Sequence, residues 1–343
     1  MNGLDVALIW AGVLALAVFM YVLLDGFDLG LGILFPLAPD DDARDLMMHS
    51  VAPVWDGNET WLVLGGGGLF AAFPKAYAAL MPAVYMPIGF MLTALIFRGV
   101  AFEFRFKAGG FMRRLWSQAF HLGSIVAAFA QGLVLGALVQ GIDLVDGRFA
   151  GGMYDWLTPF SFLTGCALVW GYALLGATWL LLKAEGELHE WARQMALLTL
   201  AVVVLCIAVV SVWVPALDLN AALRWGIRWP HVDWSRLLPL SPIPLLVAVA
   251  AWQLVHSVRH DSHSLRPFLC AAALFALGYL GLGISLYPYL VPYQLTIHDA
   301  AAARNSQLML LYGAIVLLPV ILGYTAYVYW IFRGKVVPGA SYH

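Results

Sequence analysis

The chain has 343 residues, 62% of them hydrophobic and 11% charged, with a mean hydropathy of +0.84; this excludes a water-soluble domain and implies an all-α polytopic membrane protein or an outer-membrane barrel. The formal net charge of −2, with no dense basic run, argues against a nucleic-acid partner. Cys166, Cys206 and Cys270 stand far apart in apolar stretches, so neither a disulfide framework nor a CxxC metal knuckle is readable.

In chain order, about nine apolar stretches of spanning or near-spanning length fall at roughly 6–35, 49–73, 77–103, 118–140, 159–182, 196–214, 242–257, 268–290 and 308–332. Several contain Gly or Pro and none alternates with period 2, which selects helices over barrel strands. The second and seventh are the weakest, and a re-entrant second stretch would leave eight spans. The first lacks a basic n-region and outruns a signal-peptide core, so it is expected to be retained. Basic residues cluster in alternate loops: Arg105, Lys107, Arg113 and Arg114; Lys183 and Arg193; Arg259 and Arg266; Arg333 and Lys335. The positive-inside rule puts these loops and the C-terminus in the cytoplasm, with the acidic Pro39–Asp45 loop as the weak point of the scheme. The longest connection, about Pro215 to Ser241, carries Trp225, Trp229 and Trp234 and suits either an interfacial segment or a plain loop with an aromatic belt.

The informative residues are carboxylates within apolar stretches, because an ionisable group at membrane depth must be paired, protonated or wetted. Asp25 and Asp28, three apart, share a helix face with Gly32, while Gly26 and Gly30 leave a second face for close backbone approach. They form a proton- or cation-pairing site, or Asp28 is simply solvated near the helix end. In Trp55-Asp56-Gly57-Asn58-Glu59, Asp56 and Glu59 share a face, and closely spaced carboxylates suit a proton carrier. Alternatively Asp56 caps the helix. A metal site is weaker, since His49 is the nearest histidine and no HxxE or ExxH spacing occurs.

Arg98 can snorkel to the cytoplasm or pair with the acids of the first two spans. Pairing is favoured, which predicts one cluster of Asp25, Asp28, Asp56 and Arg98 between the first three spans, with Trp55, Asn58 and Glu59 beside them. Glu103 either opens a proton path or is a surface partner of Arg105 or Lys107. Gly65 to Gly68 lacks the Lys-Ser/Thr of a phosphate loop and reads as close helix packing. His49, His121 and His256 read as boundary or core residues more readily than as haem ligands.

Leu23-Leu24-Asp25-Gly26-Phe27-Asp28-Leu29-Gly30, then Ala52-Pro53-Val54-Trp55-Asp56-Gly57-Asn58-Glu59 with Leu69-Phe70-Ala71-Ala72-Phe73-Pro74, then Phe97-Arg98-Gly99 with Phe102-Glu103-Phe104-Arg105 resemble subunit II of the cytochrome bd-type quinol oxidases, cyanide-insensitive forms included. The likeness runs through Tyr287-Pro288-Tyr289, Pro292 and Thr296 and so covers essentially the whole chain. It implies two four-helix bundles plus a peripheral helix, here 1–140 and 141–343, in a bacterial inner membrane. It further implies a haem-bearing subunit I as partner, carrying haems b and d and the quinol-oxidising loop, with no haem held stoichiometrically by this chain. A small single-helix accessory subunit and a structural quinone or lipid belong to the same expectation. Asp56 and the acid at Glu103, a position where many relatives have Asp, match residues of a cytoplasmic proton path. The alternative class is a proton-coupled secondary transporter, which also buries acids but calls for an inverted repeat that is not seen.

Overall fold

The computed structural model describes residues 5–217, 219–228, 231–260 and 262–336. Its helices are α1 (Val6–Leu34), α2 (Asp41–His49), α3 (Trp55–Ala72), α4 (Pro74–Arg105), α5 (Gly110–Gln140), α6 (Pro159–Lys183), α7 (Gly186–Leu217), α8 (Leu219–Trp225), α9 (Trp234–Leu240), α10 (Pro242–His260), α11 (Arg266–Leu286), α12 (Ile297–Ala300) and α13 (Arg304–Ile331). Among the described residues strands occur only as three two-stranded antiparallel pairs in loops, joining Leu144–Val145 with Arg148–Phe149, Ile227–Arg228 with His231–Val232, and Tyr289–Val291 with Leu295–Thr296.

Eight of the described helical segments are long and apolar enough to cross a bilayer. The weak second stretch is helical only from Trp55, and α3 is absent from those eight because its 18 residues carry Asp56, Asn58 and Glu59 in the first two turns. Most spanning helices run past their apolar stretch, as α5 does by starting at Gly110 and α7 at Gly186. Side-chain caps start α1 and α6. Asp5 accepts from the Leu8 amide at 3.0 Å to start α1, and Thr158 with Ser161 forms a capping box before α6. Pro82 and Pro87 interrupt α4, and Val84 between them leaves helical geometry (φ −123°, ψ 16°), so this helix is kinked.

Two of the connections between spans are partly helical. Asp40 caps α2 by accepting from the Ala43 amide at 2.7 Å, a signal present in the Asp-Asp-Asp-Ala-Arg-Asp run. The Pro215–Ser241 connection forms α8, a hairpin and α9; Trp225 donates to Ser285 Oγ at 2.8 Å and Trp234 is exposed, while Trp229 lies outside the described residues.

The helix α6 is the most enclosed span, packing on α1, α5, α7 and α11, and α1 in turn packs on α3, α5 and α6. Their crossing is tight: a Cβ on Gly30 would lie 1.9 Å from the Tyr172 carbonyl oxygen, and one on Gly176 2.6 Å from the Gly30 carbonyl carbon. Two backbones approach there because neither residue has a side chain. The Gly65 to Gly68 run packs less than its composition suggests. Gly65 and Gly68 meet Val18 and Leu14 of α1, but Gly66 and Gly67 face outward with nothing within 4 Å. The least enclosed span, α13, touches α1 and α3.

Candidate functional site

Asp25 and Asp28 lie one helical turn apart on α1 and are fully buried. The α3 helix lays Asn58 and Glu59 against them, and Arg98 enters from α4 with no exposure. Arg98 Nη1 is 2.5 Å from Glu59 Oε1 and 3.2 Å from Asp25 Oδ1, and Nη2 is 3.6 Å from Asp28 Oδ2. Asn58 donates to Asp28 Oδ2 at 2.8 Å and to the Leu24 carbonyl at 3.2 Å, and accepts at Oδ1 from the Tyr329 hydroxyl at 2.9 Å. Trp55 and Phe102 stack with centroids 5.0 Å apart and cover the guanidinium, whose carbon is 5.9 and 5.5 Å from their ring centroids.

One guanidinium thus faces three carboxylates. If all three were ionised the cluster would carry two uncompensated negative charges, a large cost inside a low-dielectric helix bundle. Both Asp25 oxygens, Asp28 Oδ1, Arg98 Nε and the neighbouring Trp61 Nε1 make no hydrogen bond to protein. A second polar chain lies on the same α1 face: Tyr172 donates to Gln131 Oε1 at 2.6 Å, and Gln131 Nε2 to the Tyr21 hydroxyl at 2.7 Å.

The structure separates Asp56 from this group. Asp56 is exposed on the outward side of α3, beside exposed Gly57 and Thr60, so the expected four-residue cluster is corrected: Glu59, one helical turn on, takes the place beside Arg98. Asp56 does not cap α3, which has no side-chain cap. Glu103 is also exposed and pairs with Lys107 at 3.6 Å.

Arg105, read from sequence as part of a solvated basic loop, is instead buried. It pairs with Asp45 at 2.5 Å, while Arg113 reaches both oxygens of the same carboxylate at 2.8 Å. That network ties α2 to α4 and α5. Neither it nor Tyr329 had a sequence signal, since Tyr329 is 271 residues from Asn58. His121 Nδ1 lies 2.9 Å from the Gly32 carbonyl oxygen, His49 packs on Phe106, and exposed His256 stacks between Trp252 and His260. Among the described residues no group of three or more His, Cys, Asp or Glu could hold a metal ion.

Residues 6–332 match the family described as cytochrome bd terminal oxidase subunit II. The chain is 31% identical to the cytochrome bd-I ubiquinol oxidase subunit 2 of Escherichia coli K12, over 96% of this chain and 94% of that protein. It is 28% identical to the cytochrome bd ubiquinol oxidase subunit 2 of Bacillus subtilis 168, over 96% of both. Among solved structures, the bd oxidase from Geobacillus thermodenitrificans contains a chain that superposes with a TM-score of 0.74 at 19% identity, covering 96% of this chain and 99% of that one.

Proposed function

The chain belongs to the cytochrome bd terminal oxidase subunit II family and is a subunit of a quinol-oxidising terminal oxidase; from that premise we propose that it assembles with a haem-bearing subunit I and helps supply protons for the reduction of oxygen to water. The observation that carries this reading is the excess of buried carboxylates over cations around Arg98. Such a group has no structural necessity, because a single acid would neutralise the guanidinium. It gives α1, α3 and α4 a place where protons reside beneath an aromatic cover.

Asp56 and Glu103 belong to the outer part of the same path. Both lie on surfaces that the chain does not cover itself, so the path would run along the boundary with subunit I, where the outward Gly66 and Gly67 also permit close approach of another helix. The two-bundle division at about residue 140 rests on the family resemblance, because α6 packs on α1 and α5 as closely as on α7 and so joins the two halves. The basic residues after α4, α6, α10 and α13 support an inner-membrane orientation with these loops and the C-terminus in the cytoplasm.

Haems b and d are assigned to subunit I on the strength of the family membership. The chain expressed alone is expected to show no stoichiometric haem in a reduced-minus-oxidised spectrum; a Soret band amounting to one haem per chain would contradict the assignment.

Asp56→Asn keeps the size of the side chain and removes its capacity to carry a proton. We expect quinol oxidase turnover to fall roughly tenfold, less than the ~10²–10⁴ lost with a group acting in the chemical step itself, because this acid only delivers protons. The haem spectrum should be unchanged. Wild-type turnover at every pH from a normally assembled variant would make Asp56 a structural residue and sink the path.

A further inference from the structure

At the end of the molecule where α6 and α13 terminate, a 190 Å³ cavity is lined by Ser50, Trp179, Lys183, Tyr329, Lys335 and neighbouring backbone. It is well above the ~10–15 Å³ that a single water needs. Its walls are built from all three parts of the chain that meet there. Trp179 donates from Nε1 to Ser50 Oγ at 3.3 Å and stacks on Phe27 at 4.2 Å, and the Val336 amide donates to the Lys183 carbonyl at 3.0 Å.

The two lysines cross-cap the helices. Lys183 Nζ donates to the carbonyls of Phe332 and, at 3.3 Å, Gly334; Lys335 Nζ donates to those of Leu181 at 3.3 Å and Ala184 at 3.1 Å. Capping of helix C-termini by lysine is common, and by itself would explain one such residue. Here two ammoniums share one concavity, and no carboxylate is among the residues lining it. Lys183 is 4% exposed, and its Nζ stands 4.9 Å from the Trp179 ring centroid. Carbonyls satisfy two of the three N–H groups on each ammonium but none of its charge. The charged groups beyond the lining add little compensation: exposed Glu185 faces Lys335, but buried His189 lies on that side too, and burial holds the Lys335 ammonium below the usual lysine range.

We propose that this cavity is a binding site for a phosphate group, carried by an anionic phospholipid headgroup or supplied as free phosphate. A phosphate oxygen has the charge and acceptor geometry that the two remaining ammonium N–H groups require. The cavity also opens where two spanning helices end, at the level at which headgroups lie. Tyr329 is among its lining residues, and its hydroxyl donates to Asn58, which in turn donates to Asp28.

The test uses the whole detergent-purified oxidase complex, delipidated and titrated separately with a short-chain phosphatidylglycerol, a short-chain phosphatidylcholine and inorganic phosphate, while thermal unfolding is followed. Phosphatidylglycerol should raise the midpoint saturably and phosphatidylcholine should not. Lys335→Gln should weaken the phosphatidylglycerol effect about fivefold in half-saturating concentration, the factor expected for one lysine at an anionic headgroup layer. Lys335→Arg should hold it within about twofold of wild type, since the charge is kept. Arg236→Gln, a change at an exposed basic residue of α9, should leave it alone. Protection by inorganic phosphate as well would identify free phosphate as sufficient; protection by the lipid alone would identify the headgroup. If neither phosphate-bearing anion protects the native complex, or if Lys335→Gln responds as Arg236→Gln does, the site does not exist.

Discussion

Arg98→Ala is expected to abolish accumulation of the assembled oxidase. The substitution leaves Asp25, Asp28 and Glu59 facing one another without a cation, and breaking a buried charge group by removing one partner costs about 3–5 kcal/mol, a large part of the stability of any domain. Protonating the acids would relieve the charge but not restore the cover, because Trp55 and Phe102 would then close over a cavity. Arg98→Lys should rescue little, since one ammonium cannot present two forked donors to acids on two helices. The measurement is the yield of haem-loaded complex per cell, with Arg114→Ala as the comparison; Arg105→Ala is unsuitable, because Arg105 is itself buried against Asp45. Equal yields from Arg98→Ala and Arg114→Ala would show that the cluster contributes nothing to assembly.

A comparable loss is expected from Gly30→Val. The crossing of α1 and α6 has no room even for a methyl group at this point, because the obstacle is the Tyr172 carbonyl, a backbone atom that cannot rotate away. Overpacking usually costs about 1–3 kcal/mol when side chains can adjust; here two helices must separate, and the cost should exceed that range. Displacing α1 would also move Asp25 and Asp28 off Arg98. Gly323→Ala, on the outward side of α13 with nothing within 4 Å, should change the thermal midpoint little, as surface substitutions normally stay within about ±0.5 kcal/mol. A normal midpoint for Gly30→Val, read by thermal unfolding of the purified complex, would mean that the crossing is not fixed.

The two effects are linked by geometry. Gly26 and Gly30 let α1 lie against α6, and the stripe of Asp25 and Asp28 is thereby turned toward α3 and α4, where Arg98 waits. Both faces were legible as i, i+3 and i, i+4 patterns, because a helix puts residues so spaced on one side whatever it packs against. The same rule led to the misplacement of Asp56. Residues three apart on a helix still differ by about 60° around its axis, and on α3 that is enough to leave Asp56 outward with Gly57 and Thr60 while Glu59 turns toward the Arg98 guanidinium.

The sequence by itself determined a polytopic helical membrane protein, the approximate position of nearly every span, the pairing of Arg98 with the α1 acids and the family to which the motifs belong. These follow from local quantities: the length of an apolar run against bilayer thickness, helical periodicity and the cost of an isolated charge in lipid. Only the tertiary structure decided that Asp56 and Glu103 lie exposed, that Arg105 is buried against Asp45, that Tyr329 joins Asn58 from the far end of the chain and that Lys183 and Lys335 share a cavity. Each of these depends on the rotation of one helix about its axis relative to another or on contacts between residues far apart in sequence. In a chain whose helices are apolar on nearly every side, hydropathy carries little record of which side faces which neighbour; small residues and buried polar partners set that, and they act only once the helices meet.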